Sequence, residues 1–157
     1  MPAFVLDLAG LRQGFTRVHL DGRPSDLDLE GPAWFAPLRV DLECDLTGDQ
    51  LSVRGSVVTE ARFECARCLA PFERGIEGAF GLFSDRQGSS RSRDEAELED
   101  GDQMTFHDGR QLDLRGAARE SLLLEWPMVP LCRDDCRGLC PKCGADLNQG
   151  PCGCGPS

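Results

Sequence analysis

This sequence of 157 residues lacks the features of a membrane or secreted protein. It contains no run of about 18 apolar residues, so no segment is predicted to cross a membrane. The N-terminus, MPAFVLDLAGLRQGF, has no basic stretch followed by a long apolar core, so no secretory signal is predicted. We therefore expect a cytoplasmic protein, held in a reducing compartment where structural disulfides are rare.

Positive charge is also scarce. Lysine and arginine together number 17 against 27 aspartates and glutamates, and the formal net charge is −10. Sequence-independent electrostatic binding of nucleic acid requires lysine and arginine side chains that neutralise phosphates. The composition therefore argues against a protein that binds RNA or DNA along an extended surface.

The residue patterns of common catalytic sites are missing as well. Only two histidines occur, His19 and His107, and neither has the spacing of a metal ligand. No serine or cysteine can be grouped with a histidine and an acid, and no glycine-rich phosphate loop follows a predicted strand. We expect a protein that is not an enzyme and that takes no small-molecule substrate.

The sequence does contain a repeated pattern of short predicted strands separated by turns. Apolar and polar residues alternate most cleanly in 37–46, and TGDQ at 47–50 predicts a hairpin with 51–58. Similar runs occupy 4–8, 15–21, 61–69 and 72–83. The pattern predicts a mainly β, α+β fold, with an antiparallel barrel-like sheet in a β-rich domain over residues 1–131.

Two later segments interrupt the strands. Residues 84–103 are nearly devoid of apolar side chains, with acidic residues crowded at 94–102, and they predict an acidic flexible loop that is solvated. A single helix is predicted over about 113–126, with Asp113 as its N-cap and Pro127 at its end. We expect the leucine face of this helix to pack on the sheet.

Eight of the nine cysteines fall into four close pairs. A CxxC turn brings two thiolates to one point, which is typical of tetrahedral zinc sites. Cys44 stands apart on the apolar face of a predicted strand and is interpreted as a small buried hydrophobe. The sequence therefore predicts a cysteine-rich, zinc-binding tail, residues 132–157, docked on the β-rich domain. The pairs are Cys65 with Cys68, Cys132 with Cys136, Cys140 with Cys143, and Cys152 with Cys154.

The pairs can combine in more than one way. Only eight residues, GADLNQGP, separate Cys143 from Cys152, so the last four cysteines can close a local site. Cys132 and Cys136 then require Cys65 and Cys68, from which 63 residues separate them. This pairing predicts two Zn²⁺ ions, one in each set of four cysteines. Both ions are expected to be structural, because neither site leaves an open position for catalysis. The alternatives are one zinc held by the six C-terminal cysteines, a redox-active CxxC and an iron–sulfur cluster.

Four segments carry a resemblance to a known family. They are FECARCLAPFE (63–73), LDL (112–114), ESLLLEWPMVPLC (120–132) and CRGLCPKCGADLNQGPCGC (136–154). Together they resemble the YceD family, the large ribosomal RNA subunit accumulation proteins. The resemblance implies a bacterial or plastid protein needed for accumulation or processing of large-subunit (23S) rRNA. It also implies one metal site made by the first two cysteine pairs, with a second, optional site in the tail.

Charge and resemblance together lead to a specific expectation. We expect a non-enzymatic ribosome-biogenesis factor whose partners are ribosomal proteins or large-subunit assembly intermediates, with at most a local rRNA contact. The alternatives are a zinc-stabilised regulatory or adaptor protein and a thiol redox sensor.

Overall fold

A computed structural model describes residues 2–86 and 102–155 of the chain. Within them, two 3-10 helices occupy Leu8–Gly10 and Pro24–Leu27. No described helix is long and apolar enough to cross a membrane. The strands and the α-helix are β1 (Val5–Asp7), β2 (Gly14–Gly22), β3 (Leu38–Thr47), β4 (Gln50–Glu64), β5 (Pro71–Arg86), β6 (Asp102–His107), β7 (Gln111–Asp113) and α1 (Arg115–Leu124).

Among the described residues, five strands form the main sheet, in the order β2-β3-β4-β5-β6. The predicted hairpin is confirmed: β3 and β4 pair antiparallel, with Thr47 opposite Gln50 at the turn. Side chains of successive residues point to opposite faces of a strand, so Leu38, Val40 and Leu42 of β3 are all buried on one face. The mainly β character and the single described α-helix agree with the prediction.

The predicted barrel is wrong, because the sheet is open. Its edges are β2 and β6, and β1 pairs antiparallel with β7 to make a separate two-stranded sheet. Leu6 and Leu112 of that small sheet, together with Leu122 of α1, join the core on the buried face of the main sheet. Covering one face with a second layer buries it without closure into a barrel.

The sheet also departs from an all-antiparallel arrangement at one edge. β5 and β6 run parallel, with Gly81 opposite Asp102. The predicted loop 84–103 is therefore wrong at both ends, because residues 84–86 continue β5 and residues 102–103 begin β6. A parallel pair requires a connection that returns to the starting end of the sheet. The rest of the predicted loop, residues 87–101, lies outside the described residues.

The helix α1 lies against β5 and is slightly shorter than predicted. Its N-cap is Leu114, while the side chain of Asp113 accepts a hydrogen bond from the Arg115 main-chain N–H at 2.9 Å. The closest approach is at Gly78 of β5, where an added Cβ would lie 2.6 Å from the main-chain carbon of Ser121. Glycine is therefore needed there to let the helix reach the sheet.

The segment after α1 is anchored by aromatic contacts. Trp126 packs against Trp34 at 4.8 Å and against Phe63 at 4.5 Å between ring centroids. Phe63 in turn stacks on Phe72 at 5.5 Å. This aromatic group lies between the main core and the first cysteine pair, because Phe72 contacts both.

Candidate metal centres

The first CxxC pair occupies the turn between β4 and β5. The Cys65 main-chain N–H donates to the Ala70 carbonyl, and the Leu69 N–H donates back to the Cys65 carbonyl, both at 2.9 Å. Leu69 has the left-handed conformation, with φ of 62°. These bonds wrap the turn tightly around the two sulfurs.

The second CxxC pair is held by the same turn. The Cys140 N–H donates to the Ala145 carbonyl, and the Gly144 N–H donates to the Cys140 carbonyl, both at 2.8 Å. Gly144 has φ of 74°, in the left-handed region that favours glycine. Both knuckles thus share one geometry, with a leucine in the first where the second has a glycine.

Four sulfurs meet at the first knuckle, in the set that we call cluster 1: Cys65, Cys68, Cys132 and Cys136. All four lie within 4.8 Å of one another, and the Cys65–Cys136 and Cys68–Cys132 sulfur distances are both 3.7 Å. A disulfide requires about 2.05 Å. Sulfurs at the corners of a tetrahedron around zinc, each about 2.3 Å from the metal, are about 3.8 Å apart. The spacing therefore suits a tetrahedral metal ion.

The remaining four sulfurs form cluster 2: Cys140, Cys143, Cys152 and Cys154. They too lie within 4.8 Å of one another. Cluster 2 is closer to solvent, since only Cys140 is buried there, whereas three of the four residues are buried in cluster 1. The structure thus brings together the two predicted sets of four. In the described chain, the six C-terminal cysteines do not form one group.

Main-chain N–H groups make each knuckle favour a thiolate. Those of Cys68 and Cys132 lower the pKa of Cys65 to about 6. The N–H groups of Cys143 and Lys142 do the same for Cys140, whose pKa is also about 6.

Further thiolates are disfavoured at the same sites. Burial, followed by the neighbouring thiols, raises the pKa of Cys132 to about 12. In cluster 2, the thiols of Cys143 and Cys152 raise the pKa of Cys154 to about 11. A cation bound among the sulfurs would lower the pKa of all these thiols, because it favours the charged form of every ligand.

Two arginines that spacing arguments did not single out fix the returning chain to the first knuckle. Arg67 donates to the Cys136 carbonyl at 2.9 Å, and Arg74 donates to the Leu131 carbonyl at 2.5 Å. The Ala66 N–H adds a bond to the Pro130 carbonyl at 2.8 Å. The sequence feature that could have indicated this role is the group of basic residues around Cys65 and Cys68. Such a group is equally typical of an ordinary charged surface.

Asn148 connects the two clusters, and no pattern in the sequence indicated its role. It belongs to the loop within cluster 2, yet its side-chain amide donates to the sulfur of Cys136 at 3.3 Å. That bond is the main cause of the lowered pKa of Cys136. The amide oxygen accepts from the Arg137 N–H at 2.9 Å and from the Arg133 guanidinium at 2.7 Å.

The other residues that the sequence raised lie outside both clusters. Cys44 is buried in β3, and burial raises the pKa of its thiol to about 11. His19 is exposed on β2, with Nδ1 2.7 Å from an Asp41 oxygen. His107 is buried in β6, with Nε2 3.0 Å from the Asp49 carbonyl. Neither histidine belongs to a cysteine cluster.

Comparison with known proteins identifies a family and individual relatives that this chain resembles. The sequence model of the family described as "Large ribosomal RNA subunit accumulation protein YceD" matches residues 53–157. An uncharacterised protein of Mycobacterium tuberculosis is 32% identical over 116 residues, which cover 74% of this chain and 54% of that protein. A Zea mays protein, "Large ribosomal RNA subunit accumulation protein YCED homolog 1, chloroplastic", is 28% identical over 158 residues, covering 83% of this chain and 53% of that protein.

The chain spans about half the length of the curated relatives it matches. No solved structure matches it. The family match begins within β4 and includes β5, α1 and both cysteine clusters. On that match, the chain belongs to the YceD family, the large ribosomal RNA subunit accumulation proteins.

Proposed function

We propose that this protein supports the accumulation or processing of large-subunit (23S) rRNA during ribosome assembly, and that it does so without catalysing a reaction. The observation that carries the proposal is the family match over residues 53–157, which includes both cysteine clusters. The maize relative bears the name of a large ribosomal RNA subunit accumulation protein. The proposed site of action is the cytoplasm, where large subunits assemble in bacteria.

The proposal gives the protein ribosomal or assembly-protein partners, with at most a local contact to rRNA. A net charge of −10 supports this choice, because phosphates would be repelled. The exposed face of β3 shows the same excess of negative charge. Three of four charged side chains on that face are acidic: Asp41, Glu43 and Asp45, beside the basic Arg39. Ribosomal proteins that bind rRNA must themselves be basic, so an acidic factor complements them electrostatically.

Two structural zinc ions complete the proposal. Cysteine thiolates are soft ligands, and four of them within 4.8 Å of one another, with two pairs 3.7 Å apart in cluster 1, suit the tetrahedral preference of zinc with no open position. Zinc in cluster 1 would join the β4–β5 turn to the segment after α1. Zinc in cluster 2 would close the tail locally. Both ions would stabilise the fold and supply no catalytic water.

Depletion in the native host tests the functional proposal. Loss of the protein should lower the ratio of 23S to 16S rRNA, and the wild-type chain should restore it. The wild-type chain should also sediment with precursors of the large subunit. Normal rRNA after depletion, together with absence from those fractions, would favour an adaptor with another role. A chain isolated with no metal and with readily formed disulfides would favour a thiol redox sensor.

A further inference from the structure

The loop within cluster 2, residues 144–151, carries a side chain that supports a ligand of cluster 1. Asn148 belongs to this loop, and its amide N–H donates to the Cys136 sulfur at 3.3 Å. Cys136 is a buried member of cluster 1. A hydrogen bond from the loop of the second cluster therefore ends on a sulfur of the first.

The neighbours of Asn148 determine which way its amide faces. Its oxygen accepts from the Arg137 main-chain N–H at 2.9 Å and from the Arg133 guanidinium at 2.7 Å. Both of these groups can only donate, so the oxygen must face them and the NH2 group must face the sulfur. The amide is therefore held as a donor to Cys136, and such a donor favours the charged thiolate that binds a metal ion.

The loop that carries Asn148 rests on the segment that joins the two clusters. The Leu147 N–H donates to the Gly138 carbonyl at 2.9 Å. Gly138 in turn lies against the first knuckle, where an added Cβ would be 3.1 Å from the Arg67 carbonyl oxygen. Loop, joining segment and first knuckle are thus in contact, and Asn148 lies where the loop meets the other two.

Little besides cluster 2 can hold this loop in place. Residues 141–145 are all exposed, and none of residues 149–155 is buried. Within the described chain, no hydrogen bond between main-chain groups involves residues 150–155. A segment that buries so little cannot offset the entropy lost when it is ordered, and in small cysteine-rich segments metal binding supplies the difference. A metal ion in cluster 2 would therefore order the loop and place Asn148.

We propose that metal binding in cluster 2 strengthens metal binding in cluster 1, and that Asn148 transmits the effect. The inference rests on the two proposed zinc sites and adds that they are not independent. Asn148 is a positioning residue, because it contacts a ligand and not the metal ion. By linkage, an ion in cluster 1 strengthens binding in cluster 2 by the same factor. The connection between the β4–β5 turn and the segment after α1 would then be tightest when the tail holds its ion.

Zinc titrations of the full chain test this coupling. Free zinc is set with chelator buffers, and native mass spectrometry counts the bound ions. Tryptophan emission reports cluster 1, because Trp126 packs against Phe63 and Phe63 stacks on Phe72, which contacts that cluster. The variant C152S/C154S removes two ligands of cluster 2. We expect it to need roughly 10–100-fold more free zinc than the wild type to fill cluster 1, as loss of a group that hydrogen-bonds a ligand does.

N148A removes the side chain that transmits the effect. In the wild-type chain it should raise the free zinc needed for cluster 1 by the same factor of roughly 10–100. In the C152S/C154S chain it should change that concentration by less than about twofold, because Asn148 is no longer held in place there. This double-mutant cycle separates transmission from a support that Asn148 gives by itself.

Two further variants test the chemistry at the same place. N148D keeps oxygens that can accept from Arg137 but puts a negative charge beside the Cys136 sulfur, so it should weaken cluster 1 at least as much as N148A. Q149A is the matched control, because Gln149 is the next residue of the same loop and is exposed. It should bind both zinc ions like the wild type.

Several outcomes would overturn the coupling. They are a C152S/C154S chain that fills cluster 1 at the wild-type zinc concentration, an equal cost of N148A with and without cluster 2, and a Q149A chain that behaves like N148A. Loss of the cluster 2 ion from N148A at saturating zinc would also overturn it, since Asn148 would then only hold the tail together. Two ions that bind independently would leave the proposed zinc sites standing, whereas a chain that binds no zinc would remove both. No rRNA enters the titration, so the coupling and the rRNA role can fail separately.

Discussion

Replacing Cys136 by serine should remove one of two bound zinc ions and loosen one end of the molecule. Cys136 is buried, its sulfur is 3.7 Å from that of Cys65, and Asn148 donates to it. A serine hydroxyl is a poor zinc ligand, so three thiolates would remain in cluster 1. We therefore expect native mass spectrometry to count two zinc ions in the wild type and one in C136S.

The cost in stability follows from linkage between metal binding and folding. A ligand that binds only the folded state, at about 100 to 1,000 times its dissociation constant, stabilises it by about 2.7 to 4.1 kcal/mol. For a chain of this size each kcal/mol corresponds to roughly 2–4 °C in Tm. C136S should therefore melt about 5–16 °C below the wild type when free zinc is buffered in that range.

Tryptophan fluorescence distinguishes the two clusters. The chain has two tryptophans and no tyrosine, and the tryptophans pack against each other. Phe72 contacts cluster 1 and stacks on Phe63, which packs against Trp126. C136S should therefore change the emission spectrum, whereas C154S should remove one zinc ion and leave the emission nearly unchanged.

C44S is the control for loss of a thiol. Cys44 is buried in β3 outside both clusters, so this variant should keep both metal ions, although it buries a hydroxyl. Two zinc ions in C136S would refute the assignment of cluster 1. Equal changes of emission in C136S and C154S would refute the separation of the clusters.

Three further predictions concern other contacts. The hydrogen bond to Asp41 raises the pKa of the exposed His19 above 6.5, which an NMR titration should show. The contribution of protonated His19 to the stability of the fold is therefore full at low pH and is lost as the pH rises through the raised pKa. G78A should lower the free energy of unfolding by roughly 1–3 kcal/mol, because the added methyl meets the backbone of α1. G116A, where the added methyl meets open space, should raise it by about 0.5–1 kcal/mol. Urea unfolding measures both variants, and equal effects would contradict the close packing at Gly78. N148A should weaken zinc in cluster 1 by roughly 10–100-fold in chelator competition, with cluster 2 unaffected; an unchanged affinity would remove its supporting role.

Local features of this fold could be predicted from the sequence because a few adjacent residues determine them. Alternation in 37–46 identified the buried face of β3, and TGDQ fixed the turn into β4. The CxxC spacing likewise brought two sulfurs together within four residues. Gly144 could be assigned a positive φ from its place after such a pair.

Features that depend on distant pairing could not be predicted in the same way. Alternation tells which face of a strand is buried but not which strand lies beside it, so the open sheet and the parallel β5–β6 pair were missed. The polar residues Ser84 and Asp85 predict a loop at the end of β5, yet both are buried. The contacts of Arg67 and Asn148 depend on where the tail docks, which spacing does not encode.

The two clusters differ in when they can form. Cluster 2 closes over the eight residues 144–151, whereas cluster 1 must enclose the 63 residues 69–131. By chain statistics alone, the longer loop costs about 1.8 kcal/mol more to close, and it contains both β5 and α1, which pack against each other in the folded chain. With zinc in both clusters, as proposed, we therefore expect a newly made or denatured chain to fill the tail site before the long-range one. The number of metal ions bound to a molecule would then record whether that molecule has finished folding.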